Sequence, residues 1–238
     1  MRWALLALLF WAAPAAAVTC EDVDYLNRSY TTCTVDVTTE ALRLFHKDAE
    51  GNVIGSFSAL EDLPDVTKLA FAMNAGMYHD DRSPVGHYVE DGVETMRVIT
   101  NAGPGNFGLL PNGVFCISEG HAQVYETLQY VEAAPACRDA TQSGPMLVID
   151  GELHPRFLED STSRFVRNGV GTTADGSDAV FVISNDPVSF HAFGSFFRDY
   201  LALPNALYFD GKVSRLYARD MNRSDFGFQL GPMVAVTE

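Results

Sequence analysis

The stretch Thr141-Gln142-Ser143-Gly144-Pro145-Met146-Leu147-Val148-Ile149-Asp150-Gly151 joins a polar, turn-forming tetrad to an apolar run. Ser, Gly and Pro favour turns, and a short apolar run between turn signals is typical of a buried strand. The pattern therefore predicts a strand that presents polar side chains at the edge of the core. Because active sites are often built in this way, we take Gln142, Ser143 and Gly144 as candidate substrate-binding residues.

The same arrangement recurs elsewhere in the chain. Asn74 and Gly76 follow an apolar run at 71–73, Asp210 ends another at 206–209, and Arg167 opens the segment Arg-Asn-Gly-Val-Gly at 167–171. Asn and Asp before Gly are turn residues, so a turn explains each motif when it is taken alone. Their recurrence predicts one cleft, lined by the polar residues at these strand exits: Asn74, Gln142, Ser143, Arg167 and Asp210.

Residues 1–17 have the features of a secretory signal peptide. Arg2 precedes an apolar segment, and Ala15-Ala16-Ala17 offers a small-residue cleavage site. The apolar segment is shorter than the roughly 20 residues that a membrane-spanning helix needs, and no later segment approaches that length. We therefore expect a secreted or periplasmic protein without stable membrane insertion. No linker-like segment divides residues 18–238, so one domain is expected there.

The charge of the chain excludes some partners. The 238 residues carry a formal net charge of −15, and such a field repels nucleic acid. It would also repel a phosphorylated substrate at long range, so a site for one needs its own local cation. No feature of the sequence indicates an oligomeric state.

The chain has four cysteines, which fits an oxidising compartment and allows three disulfide pairings. Pairing Cys20 with Cys33 and Cys116 with Cys137 closes the shortest loops, and we favour it. No two cysteines have the spacing of a zinc knuckle.

The pattern of apolar residues predicts an α+β fold with a mainly antiparallel or mixed sheet. A helix is predicted over residues 189–203, with an aromatic stripe of core residues and Pro204 closing it. A second, shorter helix is predicted over residues 56–63. Turn-bounded, β-rich segments predict strands at 34–37, 42–45, 96–99, 113–117, 180–183 and 207–209.

Several familiar sites fit the sequence poorly. Residues 103–108 match the Gly-x-Gly-x-x-Gly dinucleotide pattern, but a strand-like segment follows where a helix is required, so we expect only a Gly-rich loop whose Asn106 could border a site. Ser143 lacks the Gly-x-Ser-x-Gly elbow of a serine hydrolase, although a catalytic triad is defined by geometry that a sequence does not show. The histidines show no metal-binding spacing. No metal or cofactor is therefore expected.

Five short motifs, taken in their order along the chain, resemble the phosphodiester glycosidase family. They are Asn74-Ala75-Gly76, Gly113-Val114-Phe115, Gln142-Ser143-Gly144-Pro145, Arg167-x-x-x-Gly171 and Leu207-x-x-Asp210-Gly211. An animal member of this family is the uncovering enzyme, which removes N-acetylglucosamine from a sugar phosphodiester. The resemblance covers about residues 34–238 and is greatest to the small exported bacterial members. One departure is Lys212, because the family usually has a second glycine after the Asp-Gly pair.

The resemblance implies hydrolysis of a glycosidic bond whose leaving group is a phosphodiester of a carbohydrate or glycan. We expect Asp210 to stabilise the oxocarbenium-like centre, to attack it or to activate water, and Arg167 to grip phosphate oxygens with its planar fork. Asp186 and Glu90 are weaker candidates for a second carboxylate. Two alternatives remain open at this stage: a structural Arg167–Asp210 ion pair, and a non-catalytic binder of cell-envelope glycans, which Lys212 would favour.

Overall fold

The computed structural model describes residues 18–237, so the predicted signal peptide lies outside the described residues. The described part contains three β-sheets in which every strand pair is antiparallel, three short α-helices and one π-helical turn. The predicted α+β class is confirmed. Among residues 18–237, no helix has the length and apolar character needed to cross a membrane.

The strands are β1 (Thr19–Tyr25), β2 (Arg28–Asp36), β3 (Leu42–Phe45), β4 (Leu69–Asn74), β5 (Tyr88–Glu90), β6 (Val93–Met96), β7 (Gly113–Ser118), β8 (His121–Glu126), β9 (Asp139–Ser143), β10 (Met146–Ile149), β11 (Glu152–Leu153), β12 (Asn168–Thr172), β13 (Asp178–Ser184), β14 (Asn205–Asp210), β15 (Leu216–Ala218), β16 (Arg223–Ser224) and β17 (Met233–Thr237). The helices are α1 (Phe57–Glu61), α2 (Thr127–Ala133) and α3 (Phe190–Ser195), and the π-helical turn is Phe196–Tyr200. The first sheet has the strand order β1-β2-β13-β12-β14-β10-β11, the second β16-β15-β4-β17-β3, and the third β6-β5-β9-β7-β8.

Three phenylalanines hold the three sheets together. Phe181 on β13 lies 4.8 Å from Phe71 on β4 and 5.9 Å from Phe115 on β7, measured between ring centroids. All three side chains are fully buried. Because each ring comes from a different sheet and pairs of aromatic rings pack favourably at such separations, this cluster is where the sheets share one core.

The helices follow local sequence signals. Ser189 caps α3 by accepting the N–H of Ala192, and the chain continues into the π-helical turn, which ends before Pro204. The predicted core stripe is confirmed for Phe193, Phe196 and Phe197, which are fully buried, while Tyr200 is half exposed. Ser56 caps α1 in the same way. Helix α2 was not predicted; its cap is the Glu126 carboxylate.

The strand predicted at residues 96–99 is wrong. Strand β6 ends at Met96, and the backbone of Ile99 bonds to a side chain instead of a strand. The Ile99 N–H donates to the Gln142 side-chain oxygen at 3.0 Å, and the Gln142 amide donates to the Ile99 carbonyl at 2.7 Å. One amide group thus replaces the partner strand.

The two predicted disulfides, Cys20–Cys33 and Cys116–Cys137, are both present. The first crosses the β1–β2 pair, in which the two cysteines face each other, and the second ties β7 to the segment before β9. No free cysteine remains among the described residues. Disulfides of this kind typically contribute about 2–4 kcal/mol each and fit an oxidising compartment.

Replacing Phe181 tests whether the aromatic cluster is the shared core. Phe181→Ala should lower the free energy of unfolding by about 3–5 kcal/mol, because it empties the space between three sheets. Phe226→Ala is the matched control: this ring is 96% exposed, so its removal should change stability by less than about 0.5 kcal/mol. Urea denaturation of both variants measures the difference, and equal losses would contradict the assignment.

Candidate active site

A cavity of about 690 Å³ opens at the end of β14. Two residues of β14, Tyr208 and Asp210, contribute to its wall, since residues two apart on a strand point to the same face. The segment after β4 contributes Tyr78, and the Gly-rich loop contributes Asn106. Of the predicted site residues, Asp210 and Asn106 therefore line this cavity directly.

Asp210 is a largely buried carboxylate held in place by backbone groups. Its Oδ1 atom accepts the N–H of Gly211 at 2.6 Å and the N–H of Lys212 at 2.8 Å. Burial raises the pKa of Asp210, and these backbone hydrogen bonds offset only part of that increase. No arginine or lysine of residues 18–237 forms a salt bridge with it. The structural ion pair with Arg167 is therefore not present.

Tyr208 is a site residue that the sequence did not single out. Its side chain is buried, and its hydroxyl lies beside the Arg167 guanidinium, the Asn106 side chain and the Asp210 carboxylate. Burial raises the pKa of this hydroxyl well above its ordinary value, while Arg167 opposes the increase. A Cβ atom on Gly211 would collide with the Tyr208 hydroxyl, so glycine is required there by close approach. Tyr208 could have been found from the sequence because it lies two residues before Asp210 on the same strand, and such residues point to the same face.

Arg167 lies directly behind the cavity wall. Its guanidinium stacks on Phe190 at 3.7 Å from the ring centroid and lies 5.4 and 5.5 Å from Phe165 and Tyr208, which both line the cavity. Its Nε atom donates to the Val188 carbonyl at 2.9 Å and Nη2 donates to that of Ser163 at 3.3 Å. The predicted two-pronged grip is therefore reduced, because only Nη1 is left without a partner.

Asn74 does not reach the cavity; it is buried and pairs with Asn168. The Asn168 amide donates to the Asn74 backbone carbonyl at 3.0 Å and to its side-chain oxygen at 3.1 Å. Asn168 in turn accepts the backbone N–H of Asp210 at 3.0 Å, and Asn74 accepts that of Arg215 at 2.9 Å. The pair thus fixes both ends of the segment 210–215. Asn74 therefore positions the segment that carries Asp210 and does not line the cavity.

The remaining predicted residues are also buried behind the wall. The Gln142 side chain makes four hydrogen bonds, to His87, Ile99 and Thr127, and has no free donor or acceptor directed at the cavity. Ser143 donates to the Phe209 carbonyl at 2.9 Å. Gly76 packs against the Gln142 backbone and Gly144 against Asn112 and the carbonyl of Phe107, where a side chain would not fit. The predicted residues therefore do not all line one cleft. Asp210 lines the cavity, whereas Asn74, Gln142 and Ser143 are buried behind its wall.

The two weaker carboxylate candidates lie elsewhere. Asp186 is exposed and accepts the N–H of Ser29 at 3.0 Å. Glu90 lines a different cavity, accepts the Tyr88 hydroxyl at 2.9 Å, and has a pKa raised by burial. Neither contributes to the wall around Asp210.

Buried polar atoms without a hydrogen-bond partner concentrate at this site. Of the six such side-chain atoms among residues 18–237, three are Tyr78 Oη, Arg82 Nε and Arg167 Nη1. Tyr78 and Arg82 line the cavity, and Arg167 lies behind it. Because buried polar groups in folded proteins are almost always satisfied, these three atoms mark where a polar ligand would complete the hydrogen bonding.

Most of the chain is similar to known proteins. Residues 67–236 match the family model described as phosphodiester glycosidase. The uncharacterized protein YigE of Escherichia coli K12 is 31% identical over 209 residues, which are 87% of this chain and 82% of that protein.

Two solved structures share the fold at low sequence identity. A hypothetical protein from Synechocystis has a TM-score of 0.62 at 13% identity, covering 92% of this chain and 62% of its own. A putative exported protein from Burkholderia pseudomallei K96243 has a TM-score of 0.52 at 11% identity, covering 89% of this chain and 74% of its own. This chain thus spans less than two thirds of the Synechocystis protein.

The role of the Asn74–Asn168 pair can be tested by stability. Asn168→Ala should lower the free energy of unfolding by about 1–3 kcal/mol, since it leaves the Asn74 carbonyl and the Asp210 N–H buried without partners. Asn101→Ala, at an exposed loop position, should change it by less than about 0.5 kcal/mol. Urea midpoints at constant slope measure both, and an unchanged midpoint for Asn168→Ala would refute the positioning role.

Proposed function

This chain belongs to the phosphodiester glycosidase family, and we propose that it hydrolyses the glycosidic bond between a sugar and a phosphodiester in the cavity at Asp210. The observation that carries the proposal is a largely buried carboxylate at a strand end, fixed by backbone N–H groups and facing a cavity large enough for a sugar. Asp80 also lines this cavity but is exposed, whereas Asp210 is only partly exposed and is fixed in place.

In the proposed reaction, the bond between the sugar C1 carbon and the phosphate oxygen breaks, and its electron pair leaves with the phosphate. A water oxygen forms the new bond to C1, and the Asp210 carboxylate accepts the proton that the water gives up. A carboxylate whose pKa is raised by burial is a stronger base, which suits this role. Because a phosphate is already a good leaving group, little general-acid help is needed.

The phosphate is proposed to bind at Tyr208, with Arg167 behind it. The Tyr208 hydroxyl lines the cavity and can donate a hydrogen bond to a phosphate oxygen. Arg167 adds local positive charge to that of Arg82 and Lys212, which line the cavity, and its Nη1 atom has a free donor. Asn106, exposed on the cavity wall, is proposed to bind sugar hydroxyls.

Lys212 gives little support to the alternative of a non-catalytic binder. Neither Gly211 nor Lys212 has a positive φ, so the backbone after Asp210 accommodates a lysine without strain. The Lys212 N–H still donates to the Asp210 carboxylate. The residue that departs from the family pattern therefore leaves the proposed catalytic group in position.

The substrate is proposed to be an envelope glycan or another carbohydrate phosphodiester outside the cytoplasm. The expected signal peptide and the two disulfides both support export to an oxidising compartment.

Two substitutions on two substrates test the proposed roles. Asp210→Asn should keep the fold and reduce hydrolysis of an α-sugar-1-phosphodiester at least about 100-fold, because the amide keeps the shape but loses the charge and the base. Arg167→Lys should fall between this variant and the wild type, with a loss of about 10- to 100-fold, since one charge remains without the planar hydrogen-bonding geometry.

The control substrate is an aryl glycoside of the same sugar, which has no phosphate. Arg167→Lys should matter little for it, whereas Asp210→Asn should reduce both activities. Full activity of Asp210→Asn contradicts the mechanism, and equal losses for Arg167→Lys on both substrates contradict only the phosphate assignment. If the wild type binds the phosphodiester but releases no sugar, the protein is a binder.

The pH dependence tests which carboxylate acts. The ionised form of Asp210 is lost as the pH falls through its raised pKa, so the acid limb of kcat/KM should lie above the ordinary aspartate value of about 3.9. Glu90→Gln is the matched control, because burial also raises the pKa of Glu90, yet this residue lies in another cavity. If the acid limb of the pH profile remains in Glu90→Gln, its assignment to Asp210 is supported. If the acid limb disappears in Glu90→Gln, the assignment is contradicted.

A further inference from the structure

A second cavity, of about 420 Å³, adjoins the one at Asp210. Residues 211–213 and Phe228 line both cavities, so the two open on either side of the segment that directly follows Asp210. A molecule bound in the first cavity can therefore extend into the second. Arg215, Phe226 and Ser224 line only the second cavity.

Arg215 provides a positive charge in the wall of the second cavity. The residue is only 8% exposed, yet its guanidinium forms no hydrogen bond and no salt bridge among the described residues. The nearby Asp225 carboxylate is already engaged, because it accepts two hydrogen bonds from Arg223, at 3.1 and 3.0 Å, and one from the Leu216 N–H. The guanidinium lines the cavity and its donors are not used by the protein, so an anion bound there would supply the charge-assisted hydrogen bonds.

The loop over this cavity is built around the Arg215 guanidinium. Gly227 has a φ of 152°, and a Cβ atom there would lie 2.6 Å from Nη2 of Arg215. The positive φ favours glycine at this position, and the loop backbone therefore passes close to the guanidinium. The flanking rings of Phe226 and Phe228 are 96% and 82% exposed. Large aromatic side chains this exposed, next to a cation that lines a cavity, are typical of a binding surface for a ligand with an apolar part.

We propose that the second cavity binds the aglycone end of the phosphodiester substrate, and that this aglycone carries an anionic group of its own next to an apolar part. The anionic group pairs with Arg215, and the apolar part packs on Phe226 and Phe228. The exposed Lys212, on the shared wall, adds a second positive charge between the two cavities. The assignment of this ligand as an aglycone rests on the proposed function, whereas the anion site itself does not.

Calorimetry with phenyl phosphate tests the anion site without any turnover. Phenyl phosphate combines a phosphate with an aromatic ring, and it should bind the wild type more tightly than inorganic phosphate does. Arg215→Gln should raise its Kd by about 10- to 100-fold, because hydrogen bonds to a charged group are lost. Arg97→Gln, at an exposed arginine, should leave the Kd unchanged.

The aromatic contribution has its own variant. Phe226→Ala should weaken binding of phenyl phosphate but not of inorganic phosphate, and because this ring is exposed the variant is expected to fold. Thermal melting confirms that Arg215→Gln is folded. If phenyl phosphate does not bind the wild type, or binds Arg215→Gln and wild type equally, the proposal is wrong.

Turnover then tests whether the anion belongs to an aglycone. On a sugar phosphodiester with a phenyl aglycone, Arg215→Gln should have kcat/KM close to that of the wild type. On the same compound with a phosphate on the phenyl ring, it should lose about 10- to 100-fold. Equal losses on both compounds contradict the aglycone assignment. If the wild type hydrolyses neither compound but binds phenyl phosphate through Arg215, the proposed function fails while the anion site stands.

Discussion

The buried amide pair of Asn74 and Asn168 is the interaction on which the candidate site depends. Asn74 is the last residue of β4 in the second sheet, and Asn168 is the first residue of β12 in the first sheet. Their hydrogen bonds therefore join the two sheets. An amide both donates and accepts, and each buried atom must find a partner. Asn168 satisfies this requirement by accepting the N–H of Asp210, and Asn74 by accepting that of Arg215. The same pair therefore fixes the proposed catalytic carboxylate and the cation of the second cavity.

The stretch 141–151 connects the third sheet to the first. Its first residues belong to β9 in the third sheet and its apolar run forms β10 in the first, with Gly144 and Pro145 at the crossing. Gly144 has no room for a side chain because Asn112 and the Phe107 carbonyl lie against it. The crossing thus supports the loop that carries Asn106 into the cavity. The polar residues of this stretch that looked like ligands from the sequence serve as its internal scaffold.

How much the sequence predicted depends on whether a signal was local. Periodicity located β3, β7, β13 and β14, Ser189 and Pro204 bounded the last helical segment, and loop length favoured the observed disulfides. The strand at 96–99 failed because a side chain 43 residues away replaces its partner. The same limit applies to the site. Strand ends identified Asp210, but sequence does not show whether a polar side chain turns toward a cavity or, like Gln142, into the core. Tyr208 looked like an ordinary strand residue because its partners come from three separate segments.

Two arginines that form no salt bridge among the described residues, Arg167 and Arg215, give the site its electrostatic character. Arg167 and Arg215 lie next to Val166 and Ser214, whose backbone carbonyl and hydroxyl are joined by a 3.1 Å hydrogen bond. The two cations are therefore built into neighbouring parts of one wall, although the chain as a whole carries a net charge of −15. A negative field slows the approach of an anion, so such a pair adds nothing to long-range attraction. Its effect is confined to the bound state, where burial strengthens each contact with an anionic group. Under the proposed function, this combination favours a ligand that places anionic groups at both positions at once, as a phosphodiester with a charged aglycone would.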